Sequence, residues 1–443
     1  MSQIDKSKFT FIQQNEKLYD DAFQTKPIGY FKDAWIRFRK NRASYVAAII
    51  LLFLILMSIV GPLFVSYDLD DVNAKWANRL RDLPPKSELL DFLPGFTGRK
   101  ELTGYPQNFS NLPSEIVLEV KGINQIGQLT VVVDYYAYVN HYFSEFIDPE
   151  TQTYADTAYT NLTTSEYNRV KEAENDLGVT IILEDELDPT RADSLGFYRV
   201  RLDFYEFLDH IYGIEDVSFF FGSDGSGRDL FKEIWEGARI SLLVAFSVAS
   251  INIIIGVIVG SISGYFGGNV DLIIERISEI LAGLPFLAIL TLLLLRFGNE
   301  LWVVILAFTM TGWLGIAGLT RSQFYRYKNR EYVLAARTLG AKDARIMARH
   351  IFPSAVGTII TSVVLYIPAV IFTESTFSFL GIINYGDIIS VGRLLSNGQN
   401  VMKTSFYQLL FPAIFISMLM LSFNLFGNGL RDAFNPSLRG VEE

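Results

Sequence analysis

The chain predicts an all-α polytopic membrane protein of six transmembrane helices, with a mixed α/β domain inserted after the first. Three observations predict it. Six long stretches carry no Asp, Glu, Lys, Arg or His. Half of the 443 residues are hydrophobic and only 19% are charged, against roughly a quarter charged in soluble domains; mean hydropathy is +0.26. Charge is also segregated. Residues 68–220 hold 28 acidic and 12 basic residues, net −16, leaving 20 acidic and 26 basic elsewhere, net +6. Opposite balances within one chain point to two environments. The overall charge of −10 argues against a nucleic-acid binder. With no Cys and three His, disulfide, thiol and structural zinc chemistry are disfavoured.

The uncharged stretches are Ala43–Tyr67, Ile240–Val270, Ile280–Leu295, Leu301–Thr320, Ile351–Thr373 and Thr404–Leu430. A helix needs about 20 apolar residues to cross about 30 Å of hydrocarbon. Five stretches reach that length; the third leans on Phe297 and its neighbours. Backbone groups in lipid must pair within their own segment, so each span is expected to be helical. A buried soluble core would account for one such stretch but not for six. The first stretch is too long and begins too late for a cleaved signal peptide.

Lys and Arg placement sets the orientation. Lys26, Lys32, Arg37, Arg39, Lys40 and Arg42 precede the first span, which places that end in the cytoplasm. Residues 68–220 then fall outside. The fourth span returns inward to the basic loop of Arg321, Arg326, Lys328, Arg330, Arg337, Lys342, Arg345 and Arg349, and the sixth ends inside near Arg431 and Arg439. One loop fits poorly: Gly264–Glu279 is expected inside, yet it carries Asp271, Glu275 and Glu279 against Arg276 alone. The expected organisation is a cytoplasmic segment 1–44, a first span 45–67, an extracellular insertion 68–220, a five-helix core 221–433 containing the cytoplasmic loop 321–353, and a cytoplasmic tail 434–443.

Local signals fill in these regions. Tyr30, Phe31, Trp35 and Phe38 recur at helical spacing among basic residues in Ile28–Arg42, which suits an amphipathic helix on the inner leaflet. Thr163 and Glu166 form a capping-box pattern for a helix that stops at Gly178. Leu129–Tyr138 is rich in β-branched and aromatic residues, and Tyr198, Val200, Leu202 and Phe204 alternate with Arg199, Arg201 and Asp203, both strand patterns. The Glu184-Asp185-Glu186 cluster suits a solvated acidic surface better than a cation site. No phosphate-binding G-x-x-x-x-G-K-[ST] loop, H-E-x-x-H or G-x-S-x-G is present, and the three His are scattered. Nothing reads as a catalytic constellation.

Glu331–Pro353 reads EYVLAARTLGAKDARIMARHIFP. Ala344, Met347, Ala348 and Ile351 fall on one narrow helical face, with Lys342, Arg345 and Arg349 off it. Gly340 separates two helical segments, and Pro353 is expected in the first turn of the next span, where it costs little. Such a short helix suits a rigid peg for a soluble partner, and equally a surface helix resting on lipid.

This loop resembles the "EAA" loop of inner-membrane components of binding-protein-dependent ABC importers, which reads E-A-A, three residues, Gly, nine residues and I-x-L-P. Ala335, Ala336, Gly340 and Pro353 match; Leu334, His350 and Phe352 depart. Glu331 and the R-H-I-x-P ending are similar to the peptide and nickel branch. So are Gly222–Asp229 with Gly237–Leu242, Gly264-Tyr-Phe-Gly-Gly with Asp271, Glu374–Gly381, and Asn424–Asp432 with Asn435-Pro436. The likeness covers about 20–67 and 220–440 and runs to the C-type permease of oligopeptide and dipeptide importers; residues 68–220 lie outside it.

The resemblance implies the type I ABC importer transmembrane fold and a non-catalytic permease. Its implied partners are a second homologous permease, two cytoplasmic ATP-binding subunits, an external substrate-binding protein and the bilayer, with no nucleic acid. This chain would bind no cofactor or metal; ATP and Mg would be used by the ATPases. Glu331, Ala335, Ala336, Gly340, Ala344, Arg345, Met347, Ala348, Arg349 and Pro353 would form the ATPase-coupling loop, its helix at about Gly340–Arg349, with Ala335, Ala336 and Gly340 as tight packing positions. Glu374, Asn252 and Asn424 are the candidates for a gate or translocation path; as polar positions in spans, Asn252, Asn424, Thr291, Thr309 and Thr311 suit helix–helix contact better than substrate binding, and Glu374 suits a gate or packing role better than direct substrate contact. Gly256/Gly260 and Gly264/Gly268 are small-residue pairs suited to span contacts. Oligopeptides are the expected cargo, with nickel or another small solute of the same branch as alternatives. A membrane-anchored receptor or scaffold with an external binding domain, or an ion-driven carrier, would need no coupling loop. The insertion is expected to dock the binding protein or shape the pore entrance, or to be a structural addition.

Overall fold

A computed structural model describes residues 30–65, 74–148, 151–186, 196–214, 217–386 and 388–434. Lys26, Ile28, Tyr67, Asn435, Pro436 and Arg439, named above, lie outside the described residues.

Helix α1 (Tyr30–Lys40) precedes α2 (Arg42–Val60). Asn41 caps α2 by accepting the Ser44 N–H at 3.3 Å. The buried side of α2, Ser44, Ala47, Leu51, Leu54 and Ser58, recurs every three or four residues. It faces the last helix, α13 (Tyr407–Phe434), and the Ser44 hydroxyl donates to Leu425 O at 2.9 Å. On α1, Ala34 and Phe38 are buried against Ala433 of α13, while Trp35 and Ile36 stay exposed. The α1 helix therefore splits its apolar residues between the protein and its surroundings.

Among the described residues the insertion contains two three-stranded antiparallel sheets. The first has β1 (Arg99–Gly104), β2 (Val117–Ile123) and β3 (Leu129–Asp134), followed by α3 (Tyr135–Ser144). The second has β4 (Tyr159–Thr163), α4 (Thr164–Leu177), β5 (Ile182–Asp185) and β6 (Phe197–Leu202), followed by α5 (Phe204–Tyr212). The strand orders are β1-β3-β2 and β4-β6-β5, so the third strand is central in both. Each central strand leads into an Asp that caps the next helix: Asp134, the last residue of β3, accepts from Tyr136 and Ala137, and Asp203, just after β6, from Tyr205 and Glu206. These caps end the strands early. Of the predicted run Leu129–Tyr138, residues after Asp134 are helix, and Phe204 opens α5 rather than extending β6. The helices read DYYAYVNHYF and DFYEFLDHIY when started at their caps. Matching Asp, aromatic, Tyr and His positions, with the same sheet order, mark a structural repeat. The capping box at Thr163 and Glu166 and the left-handed stop at Gly178 are both present.

The core spans are α6 (Leu230–Phe266), α9 (Leu301–Tyr327), α11 (Asp343–Phe379) and α13, with a bent pair α7 (Gly268–Ala282) and α8 (Phe286–Phe297) between α6 and α9. Two short helices, α10 (Glu331–Thr338) and α12 (Val391–Asn400), lie outside the spans. At 1.5 Å per residue the 37-residue α6 is about 56 Å long, more than a bilayer core. The third stretch is not one straight helix: α7 and α8 meet at 74° across Gly283–Pro285, where Pro285 has no N–H to continue the ladder. With α2, this makes five long apolar helices among the described residues, or six spans if the bent pair is one.

Gly256, Gly260 and Gly264 let α6 and α9 approach backbone to backbone; a Cβ on Gly260 would lie 2.3 Å from Ala317 O. Gly268, paired with Gly264 in the sequence reading, meets nothing there and instead turns the chain into α7 at φ +54.

The insertion is fastened to the spans. Ser223 Oγ donates to Leu80 O at 2.5 Å and accepts the Leu83 N–H at 2.9 Å. From α13, Gln408 Nε2 donates to Asp82 Oδ1 at 2.7 Å and to Ser223 O at 3.0 Å, and Tyr407 Oη donates to Ser223 O at 3.0 Å. Gly227 passes so close to Ala77 O that a Cβ would sit 1.8 Å from it.

Candidate functional site

After α9 the chain makes a corner: α10, then Leu339–Lys342, then α11. Gly340 turns it at φ +83. Sequence reading places the free-standing helix at about Gly340–Arg349; the structure places it at Glu331–Thr338 instead. From Asp343 the chain is already the start of the next span, joined through a π turn at Met347–Ile351. Pro353 falls in the first turn of the α-helical run Phe352–Phe379, as expected, but that run continues Asp343–Ile351 without a break in the span. The widened turn just before Pro353 suits a residue with no N–H to offer the preceding turn.

The π turn also changes which face is buried. At helical period the inner face would be Ala344, Met347, Ala348 and Ile351. In the structure Ala344 and Ala348 are exposed, Met347 is half-buried, and Ile346 and Ile351, five residues apart, are buried. A turn with i→i+5 bonds aligns residues at that spacing. Ile346 and Ile351 pack with Tyr265, Phe324 and Val333 beneath α10.

The outward surface of the corner holds Glu331, Ala335, Gly340, Ala344, Arg345, Ala348, Arg349 and Pro353, all exposed, with Ala336 half-buried. Two expectations change here. Ala335 is not a packed position, and a Cβ at Gly340 would meet no atom within 4 Å, so its constraint is backbone conformation. The residue that sequence reasoning missed is Leu339, 87% exposed at the tip of the corner. An apolar side chain beside Gly340 in a basic loop was the available signal.

Behind the corner lies a polar junction. Tyr265, at the end of α6, donates its hydroxyl proton to Asp343 Oδ1 and accepts from Arg337 Nη2 at 3.2 Å. Lys328 Nζ donates to Gly264 O at 3.0 Å. Arg321 of α9 grips Asp271 with both arms, Nε at 2.6 Å and Nη2 at 2.7 Å, and reaches Glu275 Oε2 at 2.7 Å. Ser263 also donates to Asp271. Two of the unbalanced acids of Gly264–Glu279, Asp271 and Glu275, are thus partnered by an arginine from the next span, and Glu279 pairs with Arg276 of its own helix. A bidentate guanidinium–carboxylate pair fixes both partners in position and angle. Tyr265 joins α6 to both sides of the Gly340 corner, and Arg321 joins α9 to α7.

Within the spans, Asn252 is fully buried and donates from Nδ2 to Tyr366 Oη at 2.9 Å, a link from α6 to α11 that Gly312 leaves room for. Glu374 is also fully buried; Ser241 of α6 and Ser375 donate to its Oε2 at 3.0 and 3.3 Å. Both therefore sit between helices of this chain rather than on an open wall. Thr309 is buried, Thr291 and Thr311 are half-buried, and Asn424 is exposed on α13. Sequence reading missed a stripe on α11: Thr358, Ser362, Tyr366, Ala369, Thr373 and Thr376, exposed or half-buried and repeating at helical spacing. Ser362, Thr373 and Thr376 donate to the carbonyls of Thr358, Ala369 and Phe372 in their own helix, and the stripe lies on a face of α11 that this chain leaves uncovered.

Glu184 and Glu186 of the acidic cluster pair with Arg201 and Arg199, and Tyr167 donates to Asp185. Among the described residues no group of three or more His, Asp and Glu is placed to hold a metal ion.

Comparison with known proteins gives two family matches. Residues 256–440 match the binding-protein-dependent transport system inner membrane component, and residues 29–85 match the N-terminal TM domain of oligopeptide transport permease C. The dipeptide transport system permease protein DppC of Bacillus subtilis is 45% identical over 49% of this chain and 69% of its own length. The oligopeptide permease OppC of the same organism is 43% identical over 49% and 72%, and OppC of Escherichia coli is 40% identical over 50% and 73%. A chain of the inward-facing MetNI methionine ABC transporter aligns at TM-score 0.39 and 15% identity, over 46% of this chain and 96% of that one.

Proposed function

This chain belongs to the binding-protein-dependent transport system inner membrane components, on their oligopeptide and dipeptide permease branch, and from that premise we propose that it passes oligopeptides inward through a path shared with a second, homologous permease. It is a multi-pass membrane protein and a non-catalytic subunit. Two cytoplasmic ATP-binding subunits hydrolyse Mg-ATP, and an external binding protein delivers the peptide. Both termini lie in the cytoplasm, and the insertion at 68–220 lies outside. The spans take the type I importer arrangement, with 221–433 as the permease core and 321–353 as the coupling loop.

In this reading the Gly340 corner is the coupling site. Leu339, Ala335, Ala344 and Ala348 present apolar contacts, and Arg345 and Arg349 steer an acidic groove on an ATPase. Closure of the ATPases displaces α10. Tyr265 passes the displacement to α6 through Arg337 and Asp343, while α11, continuous from Asp343, moves with the corner. The hydroxyl stripe of α11, with Asn424 on α13, lines the path; Asn252 and Glu374 hold α6 and α11 in register behind it.

The observation that carries this reading is Leu339, a large apolar side chain left almost wholly uncovered on a structured corner of the family's coupling loop. Leu339→Glu should leave the amount of protein in the membrane unchanged and lower both ATPase co-purification and peptide uptake by about tenfold or more, a loss of about 1.4 kcal/mol of binding. Leu339→Met should retain both. Normal co-purification with the Glu variant would remove the coupling role from this corner.

A further inference from the structure

The insertion carries a short loop, residues 87–96, that leaves large apolar side chains uncovered. Leu89 is 81% exposed and Phe92 78%, with Leu93 also exposed. The loop is a series of closed turns: Leu93 N–H donates to Leu90 O at 2.8 Å, Phe96 N–H to Leu93 O at 3.0 Å, and Ser87 N–H to Phe96 O at 3.1 Å. A bridge between Lys86 and Thr97 seals its neck. A loop so well bonded, exposing a Leu and a Phe, presents a surface that something should cover.

Its place in the fold says what. The neck rests on the end of α13 at which the insertion is fastened. Phe96 lies 5.6 Å from Phe220 and 5.9 Å from Phe411, and Phe411 stacks on Phe221 at 4.2 Å. Phe411 is in the second turn of an apolar spanning helix. At the corresponding end of α2, the turn Gly61–Phe64 also leaves Leu63 and Phe64 exposed, and Phe406 is exposed just before α13. The loop is thus continuous with the edge of the lipid-facing surface, where apolar side chains enter the acyl boundary and nearby charges remain in water. Glu88 and Asp91, both exposed, supply those charges on the loop.

We propose that residues 87–96 form a wedge that inserts Leu89 and Phe92 into the headgroup–acyl boundary of the outer leaflet, giving the insertion a second attachment to the membrane besides its fastening to α13. The inference rests on the outward placement of the insertion in the reading above.

The chain has no Cys of its own, so with partner subunits stripped of theirs, single spin labels can be placed without background. Leu89→Cys and Phe92→Cys would each be labelled in the assembled transporter, in vesicles of phosphatidylethanolamine and phosphatidylglycerol. Ile126→Cys serves as the aqueous control, since the β2–β3 turn is at the opposite end of its sheet from the neck: Arg99 pairs with Asp134 near the neck and Gly104 with Leu129 near the turn. Expected is a higher accessibility to oxygen than to a water-soluble nickel chelate at 89 and 92, and the reverse at 126. Chelate access at 89 and 92 equal to that at 126 would overturn the wedge. Exclusion of both relaxants would also overturn it, by showing a protein covering the loop. ATPase co-purification with the same samples tests the permease reading independently. Lipid contact without ATPases would sink that reading and leave the wedge standing, and the converse result would do the opposite.

Discussion

At the scale of single residues, Gly340 separates two kinds of constraint that a conserved-looking motif glycine can carry. Nothing surrounds the position, and its φ is +83, so a side chain there is opposed by backbone conformation alone. A β-branched residue in the left-handed region costs about 1–2 kcal/mol, and Asn costs less because it visits that region more readily. Gly340→Val should therefore loosen the corner and lower ATPase co-purification several-fold, while Gly340→Asn should remain close to the parent. Equal loss with both variants, measured on the same detergent-extracted complexes, would point to a packing constraint after all.

At the scale of elements, the second sheet of the insertion depends on one helix-borne carboxylate. Glu174 of α4 accepts the N–H groups of Ile181 and Ile182 at 2.8 and 2.7 Å through Oε1, and Lys171 Nζ at 3.0 Å through Oε2. Burial pushes its carboxyl up, but the two N–H donors and the Lys171 ammonium outweigh that and hold it below the ordinary glutamate range. A depressed folded-state value means stability that is present above the unfolded value and lost as pH falls through the folded one. Glu174→Gln should accordingly cost about 1–2 kcal/mol at pH 7, the charge-assisted part of these bonds, a difference that shrinks at acid pH as the parent carboxyl is itself protonated. Thermal melts of both proteins at neutral and acid pH check this; a difference independent of pH would remove the carboxylate from the account.

At the scale of the whole molecule, the insertion and the spans form one fastened body through Ser223, Asp82, Tyr407 and Gln408. On the reading proposed above, a domain held this firmly outside the membrane would move with α6 and α13 and position a delivered binding protein over the path. Replacing 70–218 by a short linker should leave the spans in the membrane and weaken capture of the peptide-loaded binding protein by at least about tenfold. Unchanged affinity together with unchanged uptake would make the insertion a structural addition.

The amino-acid order alone determined where the long apolar helices lie, the basic loop between the fourth and fifth, the capping box at Thr163 and the glycine stripe at Gly256–Gly264. Each is written in neighbouring residues, through hydrophobic run length, charge or cap chemistry. The doubled unit of the insertion was also present in the sequence, as DYYAYVNHYF and DFYEFLDHIY, but strand propensity on both sides of Asp134 and Asp203 hid the caps that separate strand from helix. Only the tertiary structure decided most of the rest. The burial of Ile346 in place of Ala344, the partnering of Asp271 and Glu275 by Arg321, and the exposure of Leu339 depend on what a distant helix places alongside, while the bend at Gly283–Pro285 and the π turn before Pro353 follow from local prolines that run length and hydropathy do not register. Periodicity reports which face of an isolated helix is apolar; it cannot report which face a neighbour covers.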